Sequence, residues 1–288
     1  MSESAPEPLV STAWLAEHLR APDLRIVDAS FYFPHEGKDA RAEFEAAHIP
    51  GAVFFDIDEI ADTSSDLPHM VPPPEKFSAK VRKLGLGDGA RIVVYDQKGL
   101  FSAARAWWMF RLFGHEDVAV LDGGLPNWLA EGRPREDGPA RVAGERHFTA
   151  RMDNTLLRER DQVRRNLDTR RAQVVDARPT ARFTGDAEEP RPGLRAGHIP
   201  GSRNLPHSAL LDPDTGTMKD RDAIKALFAD AGIDPRKPVV TTCGSGLTAC
   251  VLALGLHRIG ARDVAVYDGS WAEWGQPGET PVATGPDA

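Results

Sequence analysis

The chain has 288 residues, 41% of them hydrophobic and 27% charged, with 35 basic and 43 acidic side chains for a net charge of −8. That length favours two domains over one, and the acidic balance excludes generic binding to nucleic acid or to an anionic membrane, because phosphate neutralisation needs a basic surface. No apolar run reaches the roughly 18 residues of a spanning helix, and two cysteines spaced C-x6-C without neighbouring histidines make neither a disulfide framework nor a zinc site, so no metal is expected.

The first stretch, "MSESAPEPLVSTAWLAEHL", lacks a basic n-region and a continuous apolar core, and the expected location is cytoplasmic. Farther on, "RIVDAS" (25–30) precedes a His-Ile-Pro-Gly turn at 48–51. Near-continuous apolar runs, "RIVVYD" (91–96) and "VAVLD" (118–122), predict strands buried on both faces. Between them "SAARAWWMFRLFG" (102–114) has helix composition and ends in Gly at the expected C′ position.

The same order then returns. "QVVDAR" (173–178) matches "RIVDAS" at an offset of 148, His-Ile-Pro-Gly recurs at 198–201 at an offset of 150, and "GARDVAVYDGSWAEW" (260–274) matches "GHEDVAVLDGGLPNW" (114–128) at 146. "PVVTTC" (238–243) and "VAVYD" (264–268) repeat the strands, and "LTACVLALGLHRIG" (247–260) repeats the helix. The duplication predicts two homologous α/β domains, each a small parallel sheet covered by helices on both faces. The polar stretch 131–155 has no apolar periodicity, and the charged stretch "LLRERDQVRRNLDTR" after it reads as a solvated helix. The expected division is a first domain over 20–139, a linker over 140–168 and a second domain over 169–283.

Sites in such sheets form where strands end and helices begin, and Cys243 falls at that junction. In "CGSGLT" (243–248) two glycines allow positive φ, and the helix that follows adds free N–H groups and its dipole. Such a cradle favours an anion, whether a thiolate or a persulfide. Cys250 lies inside the apolar helix and reads as a packing residue. Six residues after Cys243 stands Ala249, not the arginine that a C-x5-R phosphatase or arsenate reductase loop requires. Equal spacing of 25 residues to the Asp-Gly pair places Gln97 opposite Cys243, so the first repeat holds no thiol there. His48 and His198 occur in both repeats and are expected to be structural.

These residues resemble the rhodanese superfamily of sulfurtransferases: "FEAAHIPGAVFF" (44–55) and "VAVYDGSWAEW" (264–274) match its two signature segments, and the duplication covers nearly the whole chain. The uncharged loop is similar to the C-G-S-G-[VL]-T pattern of the 3-mercaptopyruvate branch rather than the C-R-K-G of the thiosulfate branch. The resemblance implies catalytic Cys243 and Ser245, with Gly244, Gly246, Leu247 and Thr248 lining the substrate. It implies Arg182 and Arg191 of "ARFTGDAEEPRPG" (181–193) as a carboxylate clamp, and Asp58 and His69 of the first repeat as relay partners of Ser245. The reaction implied is sulfur transfer from 3-mercaptopyruvate through a Cys243 persulfide to thioredoxin, a small thiol or cyanide, with no cofactor. A thiosulfate:cyanide sulfurtransferase and a non-catalytic persulfide carrier are the alternatives.

Overall fold

The structure, a computed structural model, describes residues 7–142 and 144–286; residues 1–6 of the N-terminal stretch lie outside them. The chain divides into two compact units, the first Met1–Thr63, Pro72–Asp153 and Pro213–Met218, the second Ser64–Val71, Asn154–Asp212 and Lys219–Ala288.

Unit one contains strands β1 (Leu9–Val10), β2 (Leu24–Asp28), β3 (Val53–Phe54), β4 (Arg91–Tyr95) and β5 (Val118–Leu121), paired in parallel in the order β1-β5-β4-β2-β3. Unit two repeats the order as β6-β10-β9-β7-β8, with β6 (Leu157–Arg158), β7 (Gln173–Asp176), β8 (Arg203–Asn204), β9 (Val239–Thr242) and β10 (Val264–Tyr267). The central strands are β-branched because helices cover both faces. The helices Ala103–Leu112 and Ala249–Arg258 are buried almost all round, which is why neither shows a polar stripe in its sequence. Each is followed by a left-handed glycine, Gly114 (φ 86°) and Gly260 (φ 89°).

The interval expected as a linker, 140–168, contains packed residues and, from Asn154 on, regular elements. Phe148 is buried against Phe77 and Phe110 in unit one, Leu157–Arg158 is the edge strand of the second sheet, and Val163 of the helix Arg160–Thr169 joins the second core. The solvated helix expected in this charged stretch is present as Arg160–Thr169, whereas a two-residue strand carries too little apolar pattern to be read from sequence. Two short segments also group against their place in the repeat. Residues 64–71 belong to unit two, where the Val71 N–H donates to the Asp268 carboxylate at 2.7 Å; residues 213–218 belong to unit one, where the Met218 N–H donates to Asp122 at 2.7 Å. Asp122 and Asp268 are matched positions of the duplication.

Sheet register corrects one pairing. Tyr95 lies beside Asp28 as Thr242 lies beside Asp176, and the Asp96 carbonyl accepts the Leu125 N–H at 3.0 Å as the Cys243 carbonyl accepts that of Trp271 at 2.9 Å. Asp96, not Gln97, therefore stands opposite Cys243. Equal spacing misled because the loop of unit one, 97–102, is one residue longer than its counterpart 244–248. The buried Asp96 carboxylate accepts the N–H groups of Lys98, Phe101 and Ala103 at 2.9, 2.7 and 2.8 Å. Burial raises its pKa, and the three donors oppose that shift.

A second matched pair differs in charge. Asp176 at the end of β7 meets Arg178, whereas its counterpart Asp28 has Ser30 at the equivalent place, whose N–H donates at 2.9 Å. Without a cation, burial lifts the Asp28 pKa from an ordinary 3.8 to about 6. The folded state then holds a proton that the unfolded chain releases from pH 4 upward, so stability falls as pH rises through that window and the full cost stands above pH 6. The Asp28→Asn variant should be more stable than the parent at pH 7.5 by up to about 3 kcal/mol, with the advantage vanishing near pH 4; urea titrations at the two pH values read it. An advantage independent of pH would contradict the assignment.

Candidate active site

Cys243 follows the last residue of β9, where its strand-mates have ended and the chain must turn before the helix Ala249–Arg258. It is 2% exposed. Its loop is held from below by the next βα junction. Ser270 takes a left-handed φ of 49°, its Oγ donates to the Tyr267 carbonyl at 2.8 Å, and it accepts the Cys243 N–H at 3.2 Å. The N–H groups of Trp271 and Ala272 then donate to the carbonyls of Cys243 and Gly244 at 2.9 and 2.8 Å. The turn that carries the sulfur is thus fixed through its own backbone, leaving the side chains of the loop free of scaffolding work.

The two glycines serve different ends, which differs from the expectation that both supply positive φ. Gly246 has φ +79°, the left-handed region that favours glycine. Gly244 lies outside that region; what it supplies is room, since a Cβ there would stand 3.2 Å from Arg182 Nη2 and 3.9 Å from Arg191 Nη1. Both expected clamp arginines accordingly sit beside the sulfur loop, within unit two. Ser245 and Leu247 are buried, Thr248 is half-buried at the helix N-cap, and the carbonyls of Leu247 and Thr248 accept the first helical N–H groups. The Cys250 thiol is fully buried and donates to the Gly246 carbonyl at 3.2 Å, so it ties helix to loop rather than facing substrate.

Behind Arg182 runs a buried ionic chain that residue spacing did not reveal. Arg178, 1% exposed, donates to Asp176 at 2.7 to 3.1 Å, to the Gly197 carbonyl at 2.8 Å and to Glu189 at 2.7 Å, and lies 4.3 Å over the Trp271 ring. Glu189, whose side chain is 2% exposed, accepts in turn from Nε (3.2 Å) and Nη2 of Arg182. Burial works against the Arg178 charge, but Asp176 and Glu189 outweigh it and its pKa is raised. The signal was present in the repeat itself, where "RIVDAS" and "QVVDAR" differ by a charge two residues after a buried aspartate.

His69 is buried and holds φ 61°, an unusual conformation for a histidine, two residues before the Val71 contact to Asp268; it groups with unit two although its sequence position follows the first repeat. Asp58 stands exposed in the first turn of the helix Ile57–Ile60 of unit one. His48 and His198 are buried under their own repeats, stacked on Phe44 and Phe183 with Nδ1 at 2.9 and 2.8 Å from those residues' carbonyls. A depression of about 470 Å³, lined by Arg158, Arg165, Pro238 and Asp263 among others, lies at the opposite end of the β9 strand from Cys243. Among the described residues no cluster of His, Cys, Asp or Glu could hold a metal ion.

Comparison with known proteins agrees with this arrangement. Residues 11–131 and 159–277 each match the rhodanese-like domain. The human 3-mercaptopyruvate sulfurtransferase is 47% identical over 272 residues, covering 92% of this chain and 91% of that protein. The Arabidopsis thaliana thiosulfate/3-mercaptopyruvate sulfurtransferase 1, mitochondrial, is 44% identical, covering 98% of this chain and 79% of that one. Among solved structures, SseA from Escherichia coli, described as showing the rhodanese fold and mechanism of this enzyme class, superposes with a TM-score of 0.84 at 40% identity, covering 92% of this chain and 99% of its own. With two rhodanese-like domains in tandem, one carrying Asp96 directly after its fourth strand and the other Cys243, the chain belongs to the rhodanese family of sulfurtransferases.

Proposed function

We propose that the chain transfers sulfur from 3-mercaptopyruvate to an acceptor thiol through a persulfide on Cys243, in a ping-pong cycle. The observation that carries this reading is the pairing of an uncharged sulfur loop with two guanidiniums, Arg182 and Arg191, beside Gly244. Planar guanidiniums suit a planar carboxylate, and a neutral loop leaves the substrate charge to them. The Cys243 thiolate attacks the donor sulfur; the new S–S bond forms as the C–S bond breaks, and its electron pair leaves on carbon as the enolate of pyruvate. Ser245, His69 and Asp58 are the relay, read from the family resemblance, that carries the donor's thiol proton to that carbon. Gly244, Gly246, Leu247 and Thr248 line the donor. The acceptor thiolate, of thioredoxin or a small thiol, or cyanide in an assay, then takes the outer sulfur and restores the Cys243 thiolate.

Unit one supports the anion-binding part of this reading. Its equivalent loop folds around the Asp96 carboxylate with three N–H donors, so this strand-loop-helix turns converging backbone donors toward an acidic group at the place where unit two carries its sulfur. A cytoplasmic location belongs to the same reading. The Arabidopsis relative is named mitochondrial, and fractionation with immunoblotting tests the compartment.

That relative is also named for both donors, and the donor comparison decides between them. With cyanide as common acceptor, kcat/KM for 3-mercaptopyruvate should exceed that for thiosulfate by at least about tenfold, which corresponds to about 1.4 kcal/mol. A preference for thiosulfate would overturn the proposed donor while leaving sulfur transfer intact.

A further inference from the structure

Arg182 lies in a helix of only five residues, Thr180–Thr184, and Arg191 in the stretch 184–197 that unit two carries between the stacked rings of Phe183 and His198. The matching pair in unit one, Phe44 and His48, is separated only by residues 45–47. Whatever holds the added stretch therefore sets both arginines. It is tied at two points: Arg178 Nη1 donates to Glu189 at 2.7 Å, and Trp271 Nε1 donates to the Arg195 carbonyl at 2.9 Å. Arg191 falls between these ties, flanked by Pro190 and Pro192, whose rings restrict φ. Glu189 passes the constraint on to Arg182 through Nε and Nη2. The two ties share one base, because the Arg178 guanidinium lies 4.3 Å over the Trp271 ring. Trp271 also holds the sulfur turn, its backbone N–H donating to the Cys243 carbonyl at 2.9 Å. Arg178 itself has little freedom, being bonded as well to Asp176 and to the Gly197 carbonyl.

Unit one has neither member of the Arg178–Trp271 pair. Ser30 stands at the place of Arg178, and Leu125 at the place of Trp271, where its N–H makes the equivalent bond to the Asp96 carbonyl. The strand-loop-helix forms there all the same, so the fold does not call for the pair, and the unit that carries the sulfur has it. We propose that Arg178 is a positioning residue for the donor: stacked on Trp271 and bonded to Glu189, it holds Arg182 and the Arg191 stretch in register with the Cys243 turn. This rests on the reading of Arg182 and Arg191 as the donor clamp. A planar guanidinium engaged at its edges and on one face has a single orientation, which a lysine ammonium cannot reproduce. A clamp displaced by a fraction of an ångström presents its donors off the line of the carboxylate and moves the donor sulfur away from Cys243.

In a ping-pong cycle kcat/KM for the donor reports the first half-reaction and kcat/KM for the acceptor the second, and both scale alike with the fraction of protein that is folded. Their ratio is blind to a loss of fold and sensitive to a displaced clamp. The test measures both, by pyruvate release with 3-mercaptopyruvate as donor and mercaptoethanol as acceptor, in the parent, Arg178→Lys and Glu189→Gln. Arg178→Lys keeps a cation beside Asp176 but loses the planar fork; Glu189→Gln leaves Arg178 on Asp176 and weakens its link to Arg182. In each variant the donor value should fall relative to the acceptor value by about tenfold or more, read from whatever fraction folds. An unchanged ratio in either variant overturns the proposal, since the buried chain would then only support the fold. Arg182→Ala in the same assay separates the two levels: if it too leaves the ratio unchanged, the clamp itself is wrong; if it lowers the ratio while Arg178→Lys does not, only the role of Arg178 falls.

Discussion

Cys243→Ser is expected to lose turnover with every sulfur donor, by at least about 1,000-fold in kcat, while folding as the parent does. The loss follows from chemistry, because a serine hydroxyl neither ionises near neutral pH nor forms a stable bond to transferred sulfur. Retention of the fold follows from the structure. The loop is held through the Cys243 backbone by Ser270 and Trp271, and serine is slightly smaller than the cysteine it replaces. Unit one shows that the same strand-loop-helix forms with no thiol at that place. Steady-state assays with both donors, beside thermal melts, read the outcome. Activity above a few per cent of the parent would assign the sulfur to another residue, and Cys250, the only other cysteine, would have to leave its bond to Gly246 to supply it.

Arg182→Ala and Arg191→Ala should each raise the KM for 3-mercaptopyruvate by about 10- to 100-fold, the range expected for losing one charge-assisted hydrogen-bonding partner of a carboxylate. The effect on thiosulfate should be smaller, because a planar fork matches a carboxylate in shape as well as charge. The two substitutions differ in their side effects. Arg182→Ala strands part of the buried Glu189 carboxylate, whose remaining partner is Arg178, so a loss of stability should accompany it. The double variant should fall short of the sum, since both arginines act on one group. Equal losses with the two donors would remove the carboxylate clamp from the account.

Much of this architecture was legible because the chain is written twice. The long apolar strands and the two buried helices announce themselves, and the strand-to-helix junction singled out Cys243. Six of the ten strands are not named as such from the sequence: β2 and β7 appear only as matching repeat segments, and the other four are each two residues long and defined by pairing, which no local pattern records. Gln97 was paired with Cys243 by counting, and the count failed on one residue of loop length that only sheet register resolves. Glu189 was hidden for a different reason. An acid in a polar, proline-rich stretch is ordinarily wet, and only the fold brings it between two guanidiniums. The place of His69 was equally hidden, since its segment groups with the unit that follows rather than the one it is written in.

The persulfide itself offers the most direct measurement. Incubating the protein with 3-mercaptopyruvate in the absence of acceptor, followed by peptide mass spectrometry without reductant, should show a gain of about 32 Da, the mass of one sulfur atom, on the peptide containing Cys243. Adding cyanide should remove it and release thiocyanate in equal amount. An adduct on Cys250 instead, or turnover with no adduct on either cysteine, would contradict sulfur transfer through Cys243.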